Sequence, residues 1–83
     1  MKTTVIFYME QVGSENEPKF ACLAVFPYEH EKVGVVECYS HIGQHSTASV
    51  EYCQSLKKAT KKQYSDLKRE LESYPYNYNL IVL

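Results

Sequence analysis

A short polar segment, HIGQHSTAS at residues 41–49, holds the side chains of this chain best suited to chemistry. His41 and His45 are four residues apart, and hydroxyl side chains follow directly. An imidazole beside a hydroxyl could activate a nucleophile, and two imidazoles could bind a metal ion. A third interpretation is a polar turn that joins two elements. The candidate binding residues are therefore His41, Gln44, His45 and Ser46.

The spacing does not favour a metal site at the histidine pair. Side chains four residues apart share a face only in a helix, and Gly43 between them disfavours a helix. His30 and the three cysteines lie at no recognised ligand spacing. We therefore predict no metal, and no motif indicates a cofactor.

Nucleophilic catalysis at Ser46 is not favoured either. The letters GQHS do not form the G-x-S-x-G elbow, and no carboxylate is placed by spacing to orient an imidazole. Alternatively, Gly43 adopts a positive φ in a turn, and Gln44, His45 and Ser46 bond to nearby backbone groups. We expect no catalytic activity, and favour a small interaction or regulatory module without a specified partner.

Hydrophobic periodicity predicts the elements that must position this segment. Alternating apolar residues predict strands at 3–10, 19–26 and 33–41, and a β-rich apolar run predicts another at 77–83, docked inside the sheet. The letters QVGSENEP, with Gly, Ser, Asn and Pro, indicate a hairpin loop between the first two strands. The segment HIGQHSTAS would leave the third strand as a turn and precede a short helix capped by Ser49 or Thr47.

The clearest helix begins at Thr60, which forms a capping-box pattern with Gln63. An apolar stripe at helical spacing spans an arc of about 80°. The stripe consists of Tyr64, Leu67, Leu71 and Tyr74. Pro75 would end the helix. The chain is thus expected to be one α+β domain, residues 1–83, with a single-layer, mostly antiparallel four-stranded sheet (β-β-β-α-β) packed by one main C-terminal helix.

One helix leaves part of such a sheet uncovered. A helix of about 14 residues is about 21 Å long, and the predicted strands carry apolar residues on both faces. The open face is then a binding surface or an interface between copies of the chain. We expect a homodimer through this face, or a protein partner.

Positive charge is concentrated in one segment, although the net charge is only −1. Residues 57–69 hold five Lys and one Arg against one Asp. On a helical wheel, four of these cations form a solvent face that could meet phosphates. They are Lys61, Lys62, Lys68 and Arg69. This face supports the alternative function, a nucleic-acid-binding or antitoxin-like module.

Cysteine usage and hydropathy indicate the compartment. Three cysteines at wide spacing, without a signal-peptide pattern, favour the reducing cytoplasm. No apolar run approaches the ~20 residues that span a bilayer, so no membrane association is expected.

Four segments together resemble a known group of proteins. They are AVFPY (24–28), YSHIGQHS (39–46), ATKKQYSDLKRELES (59–73) and YPYNYNL (74–80). They resemble a group of small uncharacterised proteins from gut Bacteroidales and their mobile elements, which carry a Y-x-H-[VI]-G-Q-H motif. The resemblance covers more than half of the chain and implies a shared fold, but no function comes with it.

The chain departs from that group at informative positions. Lys61 and Lys62 stand where acidic residues are common, which argues against a basic face shared by the group. Ser46 stands where Gly is common, which makes Ser46 a poor candidate nucleophile. A fainter similarity, in topology and in the Phe-Pro end of the second strand, is to HicB-like antitoxins with a partial RNase H-like fold.

Overall fold

The computed structural model describes residues 2–14, 16–29, 33–40 and 44–83. Within them the chain forms six strands and two helices, so the α+β class, the largely antiparallel sheet and the C-terminal helix are confirmed. The elements in chain order are β1 (Thr3–Gly13), β2 (Pro18–Phe26), β3 (Val35–Ser40), β4 (Gln44–Ser49), α1 (Val50–Ser55), β5 (Lys57–Lys58), α2 (Lys61–Glu72) and β6 (Leu80–Val82).

The strands form one open sheet in the order β4-β3-β2-β1-β5, with antiparallel neighbours. The strand β6 pairs in parallel with the first residues of β1, from Thr3 to Val5. Among the described residues β1 is the only strand that pairs with β6. The expectation that the last strand lies inside the sheet is therefore wrong.

The prediction of four strands is also wrong, for a physical reason. The letters QHSTAS of β4 and KK of β5 have neither apolar alternation nor high β-propensity. Both segments become strands because a neighbouring strand provides backbone groups with which they can form hydrogen bonds. β4 pairs with β3 along its whole length, and β5 pairs with Tyr8 and Met9 of β1. Such long-range pairing leaves little trace in local sequence.

Both faces of the sheet carry a core. Under α2 the buried side chains are Val5, Phe7, Ala24, Phe26, Tyr39, Leu67 and Leu71. On the other face Leu23, Val25, Val36 and Cys38 pack with Cys53 of α1. The expectation that one helix packs the sheet and leaves the other face open is corrected, because α1 covers part of that face.

The helix α2 begins where its sequence predicts, but it ends at Glu72, before the end predicted at Tyr74 and Pro75. The Thr60 side chain accepts from the Gln63 amide, and the Gln63 side chain accepts from the Thr60 amide, which completes the capping box. The helix ends at Glu72, with Ser73 as C-cap. Tyr74 lies beyond the last turn and is 87% exposed, so it does not belong to the buried stripe.

The β1–β2 hairpin extends beyond the rest of the sheet. Its ladder runs from Ile6 and Val25 to Gly13 and Pro18, whereas β3 pairs only with Ala24, Val25 and Phe26. The turn needs a glycine at position 13, where φ is +88° and a Cβ would lie 2.8 Å from the Glu17 carbonyl oxygen. We call residues 10–13 and 18–21 the hairpin arm.

Candidate functional site

The segment HIGQHSTAS contains a strand rather than only a turn. Residues from Gln44 to Ser49 form β4, which pairs antiparallel with β3. His41 lies outside the described residues, as does the side chain of Gln44, whose backbone pairs with Ser40. The interpretation of residues 44–46 as a turn is therefore wrong, and Ser49 caps the helix that follows.

His45 and Ser46 face opposite sides of the sheet. His45 is exposed, and its ring lies 4.7 Å from the ring of Tyr39, which belongs to the core under α2. Ser46 is exposed, and its hydroxyl lies 3.2 Å from the sulfur of Cys38, which belongs to the core beside α1. Successive strand residues point to opposite faces. The two side chains therefore do not form a nucleophile and base in one pocket.

His45 belongs to an aromatic cluster that connects β4 to the segment after α2. Its ring meets those of Tyr39 and Tyr76 edge-on, with centroids 4.7 and 5.6 Å away. The fully buried Tyr39 donates its hydroxyl to the Glu70 carboxylate of α2, and the hydroxyls of Tyr39 and Tyr76 are 3.4 Å apart. These contacts hold β3, β4 and the C-terminal half of α2 together.

Cys22 and Cys53 offer little reactivity. Burial raises the pKa of Cys22 from 9.0 to about 11, and it also raises the pKa of Cys53. A protonated thiol is a weak nucleophile and a weak metal ligand. Within residues 2–14, 16–29, 33–40 and 44–83, no three His, Cys, Asp or Glu side chains are grouped so that they could hold a metal ion.

The outer edge of β4 presents unpaired backbone. The Val50 amide donates to the Gly34 carbonyl at 2.8 Å, one step beyond the pair Val35–Ser49. In an antiparallel ladder the inward-bonding residues alternate, so Gln44, Ser46 and Ala48 bond towards β3. The amides of His45, Thr47 and Ser49 and the carbonyls of His45 and Thr47 then face outward, whereas the carbonyl of Ser49, the N-cap of α1, accepts from the first turn of that helix. No other strand of the described chain pairs with β4 on that side.

The proposed basic face of α2 is only partly available. Lys68 pairs with Glu72 at 2.8 Å and Arg69 with Asp66 at 3.4 Å. Lys61 and Lys62 lie exposed in the first turn, and no carboxylate of the described residues is within ion-pair distance of either. Positive charge is thus less compensated at the N-terminal end of α2 than at its middle.

A groove beside that end was not found from the sequence. It measures about 400 Å³ and is lined by Met9, Phe20, Lys57, Thr60 and Gln63. Phe20 is 67% exposed although it lies in an apolar run. The strands predicted from the sequence at 3–10, 19–26 and 33–41 have similar lengths, so no local signal indicated that the end of the hairpin would be left uncovered.

The described part of the chain contains no helix long and apolar enough to cross a membrane. No protein-family model, no curated protein and no solved structure matches this chain. The resemblance to the Bacteroidales group stays a prediction from its motifs.

Proposed function

We propose that this protein is a small non-catalytic interaction module, and that it forms a homodimer by pairing β4 with β4 of a second copy. The observation that carries this proposal is the difference between the two edges of the sheet. One edge has the features that natural proteins use to prevent pairing, and the other has none of them.

The edge beyond β1 is poorly suited to a partner. It consists of β5, which has two residues and both are lysines, and of β6, which has three. Short strands and lysines are common protective devices at sheet edges. The β4 edge is six residues long and contains no charged residue and no proline. An extended, uncharged edge of this kind favours strand addition.

The register of β4 makes a second copy a suitable partner. A twofold axis perpendicular to the sheet at Thr47 places Thr47 opposite its symmetry mate, and His45 opposite Ser49 of the second copy. Thr47 and His45 direct outward backbone carbonyls, and Thr47 and Ser49 direct outward amides, so the pairing could form four hydrogen bonds. The Ser49 carbonyl does not take part, because the N-cap carbonyl accepts from the first turn of α1. A symmetric interface of this kind is the commonest among homodimers. No like charges of β4 would face each other across the axis.

This proposal moves the interface from the face of the sheet to its edge. The face opposite α2 is partly covered by α1, and the other face holds the larger core. The edge has no such cover among the described residues. The separation of His45 from Ser46 by the sheet supports a role in binding rather than in catalysis.

The test is sedimentation velocity over a concentration series. The unmodified chain should show an average mass that rises from one copy towards two. Thr47→Pro removes an outward amide that bonds nothing in β3, so the variant should fold and remain a monomer. Thr47→Val keeps that amide and should still dimerise. A chain that is monomeric at every concentration would overturn the proposal.

Amide hydrogen exchange gives a second measurement that needs no variant. The amides of Ser46 and Ala48 should exchange slowly at every concentration because they bond to β3. The amides of Thr47 and Ser49 should become protected only as the concentration rises. Protection of both sets at low concentration would contradict the assigned direction of the backbone groups.

A further inference from the structure

A groove lies between the hairpin arm, β5 and the first turn of α2. It measures about 400 Å³ and is lined by Met9, Phe20, Lys57, Thr60 and Gln63. We propose that this groove binds single-stranded nucleic acid, with a base stacked on Phe20 and the phosphates next to Lys57. The proposal is independent of the β4 dimer.

Phe20 supplies the stacking surface. It lies on the hairpin arm opposite Gln11, and 67% of its surface is exposed. The helix α2 begins at Lys61 and packs over Phe7 and Ala24, so the arm continues beyond the covered part of the sheet. An aromatic ring held on a strand is a platform for an unstacked base, and each such stack is worth about 1–3 kcal/mol.

The positive charge lies on the same side as the ring. Lys57 pairs with Met9, whose neighbour on the other strand is Cys22, so the Lys57 side chain lies on the face that also carries Phe20. Lys58 pairs with Tyr8 and therefore points to the opposite face. No carboxylate lines the groove. A phosphate could thus approach Lys57 without displacing an acidic side chain.

The first turn of α2 adds further positive charge near the groove. It contains Lys61 and Lys62 and no acidic residue, although the positive end of the helix dipole disfavours cations there. An anion next to the turn would relieve that repulsion. Lys57 lines the groove together with Phe20, whereas Lys61 and Lys62 do not line it and add positive charge at the adjoining helix end. A cation beside an aromatic ring is the combination found in proteins that bind single strands.

The polar groups of the groove predict weak sequence preference. The side chains of Thr60 and Gln63 are already bonded to each other's backbone amides in the capping box. They are therefore poorly placed to read base edges. In a duplex the bases are stacked on one another, so none of them is free to stack on the ring of Phe20. We expect similar affinities for oligo(dT) and oligo(U) and weaker binding of a duplex of equal length.

The experiment is fluorescence anisotropy at low salt with labelled 15-nucleotide oligo(dT) and oligo(U), and it uses two matched pairs of variants. Lys57→Glu and Lys58→Glu change the net charge equally on opposite faces. We expect a loss of affinity of about tenfold or more for the first and less than about threefold for the second. Phe20→Leu should weaken binding about fivefold to a hundredfold, whereas Tyr28→Leu, at another exposed aromatic residue, should have little effect.

Inorganic polyphosphate is the control for charge alone. The proposal predicts that polyphosphate binds more weakly than either oligonucleotide, and that Phe20→Leu leaves polyphosphate binding unchanged. Equal losses in Lys57→Glu and Lys58→Glu, or the absence of oligonucleotide binding at low salt, would overturn the proposal. Tighter binding of the duplex than of the single strands would do the same.

Discussion

The imidazole of His45 lies edge-on against the ring of Tyr39, with the ring centroids 4.7 Å apart and the planes inclined by 64°. The two residues are directly opposite in the β3–β4 ladder. The assigned ladder makes this a pair without mutual backbone bonds, in which side chains approach most closely. A residue that the sequence offered as a catalytic candidate thus stabilises the edge strand.

We expect His45→Ala to lower the free energy of unfolding by about 0.5–1.5 kcal/mol, because it removes an aromatic pair on the sheet. His45→Phe should keep most of that stability. Urea denaturation of the three chains measures the difference. If His45→Phe is as unstable as His45→Ala, ring packing is not the contribution of His45.

Alanine substitutions at Leu71 and Tyr74 should have very different effects on the free energy of unfolding, although both residues belong to the stripe predicted from the sequence. Leu71 is completely buried, so Leu71→Ala should cost about 2–5 kcal/mol of stability. Tyr74 is 87% exposed, and Tyr74→Ala should change stability by less than about 0.5 kcal/mol. Thermal or urea unfolding compares them. A large effect of Tyr74→Ala would contradict its position beyond the helix.

The capping box predicts a graded series at position 60. Thr60→Ala removes the oxygen that accepts from the Gln63 amide and should cost about 0.5–2 kcal/mol. Thr60→Ser keeps that oxygen and should be nearly neutral. The comparison is made by urea unfolding, and equal losses in both variants would show that the hydroxyl is not the stabilising group.

Cys22 should react slowly in the folded chain. Burial raises its pKa from 9.0 to about 11, so the thiolate fraction near pH 8 falls by about a hundredfold. Alkylation by iodoacetamide, followed by peptide mass spectrometry, should be slow in buffer and fast in urea. A rate in buffer equal to that in urea would contradict the burial of this thiol.

The raised pKa of Cys22 also determines how the stability of the fold changes with pH. A raised pKa means that the folded state favours the protonated thiol. The contribution of Cys22 to stability is therefore complete below pH 9, and it is lost as the pH rises through about 11. Cys22→Ala should remove this part of the alkaline pH dependence.

Local signals in the sequence predicted the elements whose stability is local. The capping box of Thr60 and Gln63, the N-cap Ser49 and the first three strands depend on residues close in sequence, and all are present. The turn in QVGSENEP also follows from its composition, because Gly13 adopts the positive φ that such a loop requires.

The remaining features depend on partners that are distant in sequence. The polar segment of β4 is extended because it pairs with β3, and β5 forms because its two residues pair with Tyr8 and Met9 of β1. The exposure of Phe20 follows from the different lengths of neighbouring strands, which periodicity within one strand does not report. The β4 edge and the groove at Phe20 could therefore be identified only from the assembled sheet.

Symmetric cross-linking at Thr47 tests the central claim, the β4 dimer, most directly. A twofold axis at this residue places the two Cα atoms about 5.5 Å apart, within the range that a disulfide spans. In a Cys22→Ser background, in which Cys38 and Cys53 are buried, Thr47→Cys should form a covalent dimer under mild oxidation. Tyr74→Cys, at a site that is 87% exposed, should not. A monomer after oxidation of Thr47→Cys, or equal cross-linking of both variants, would contradict pairing at this edge.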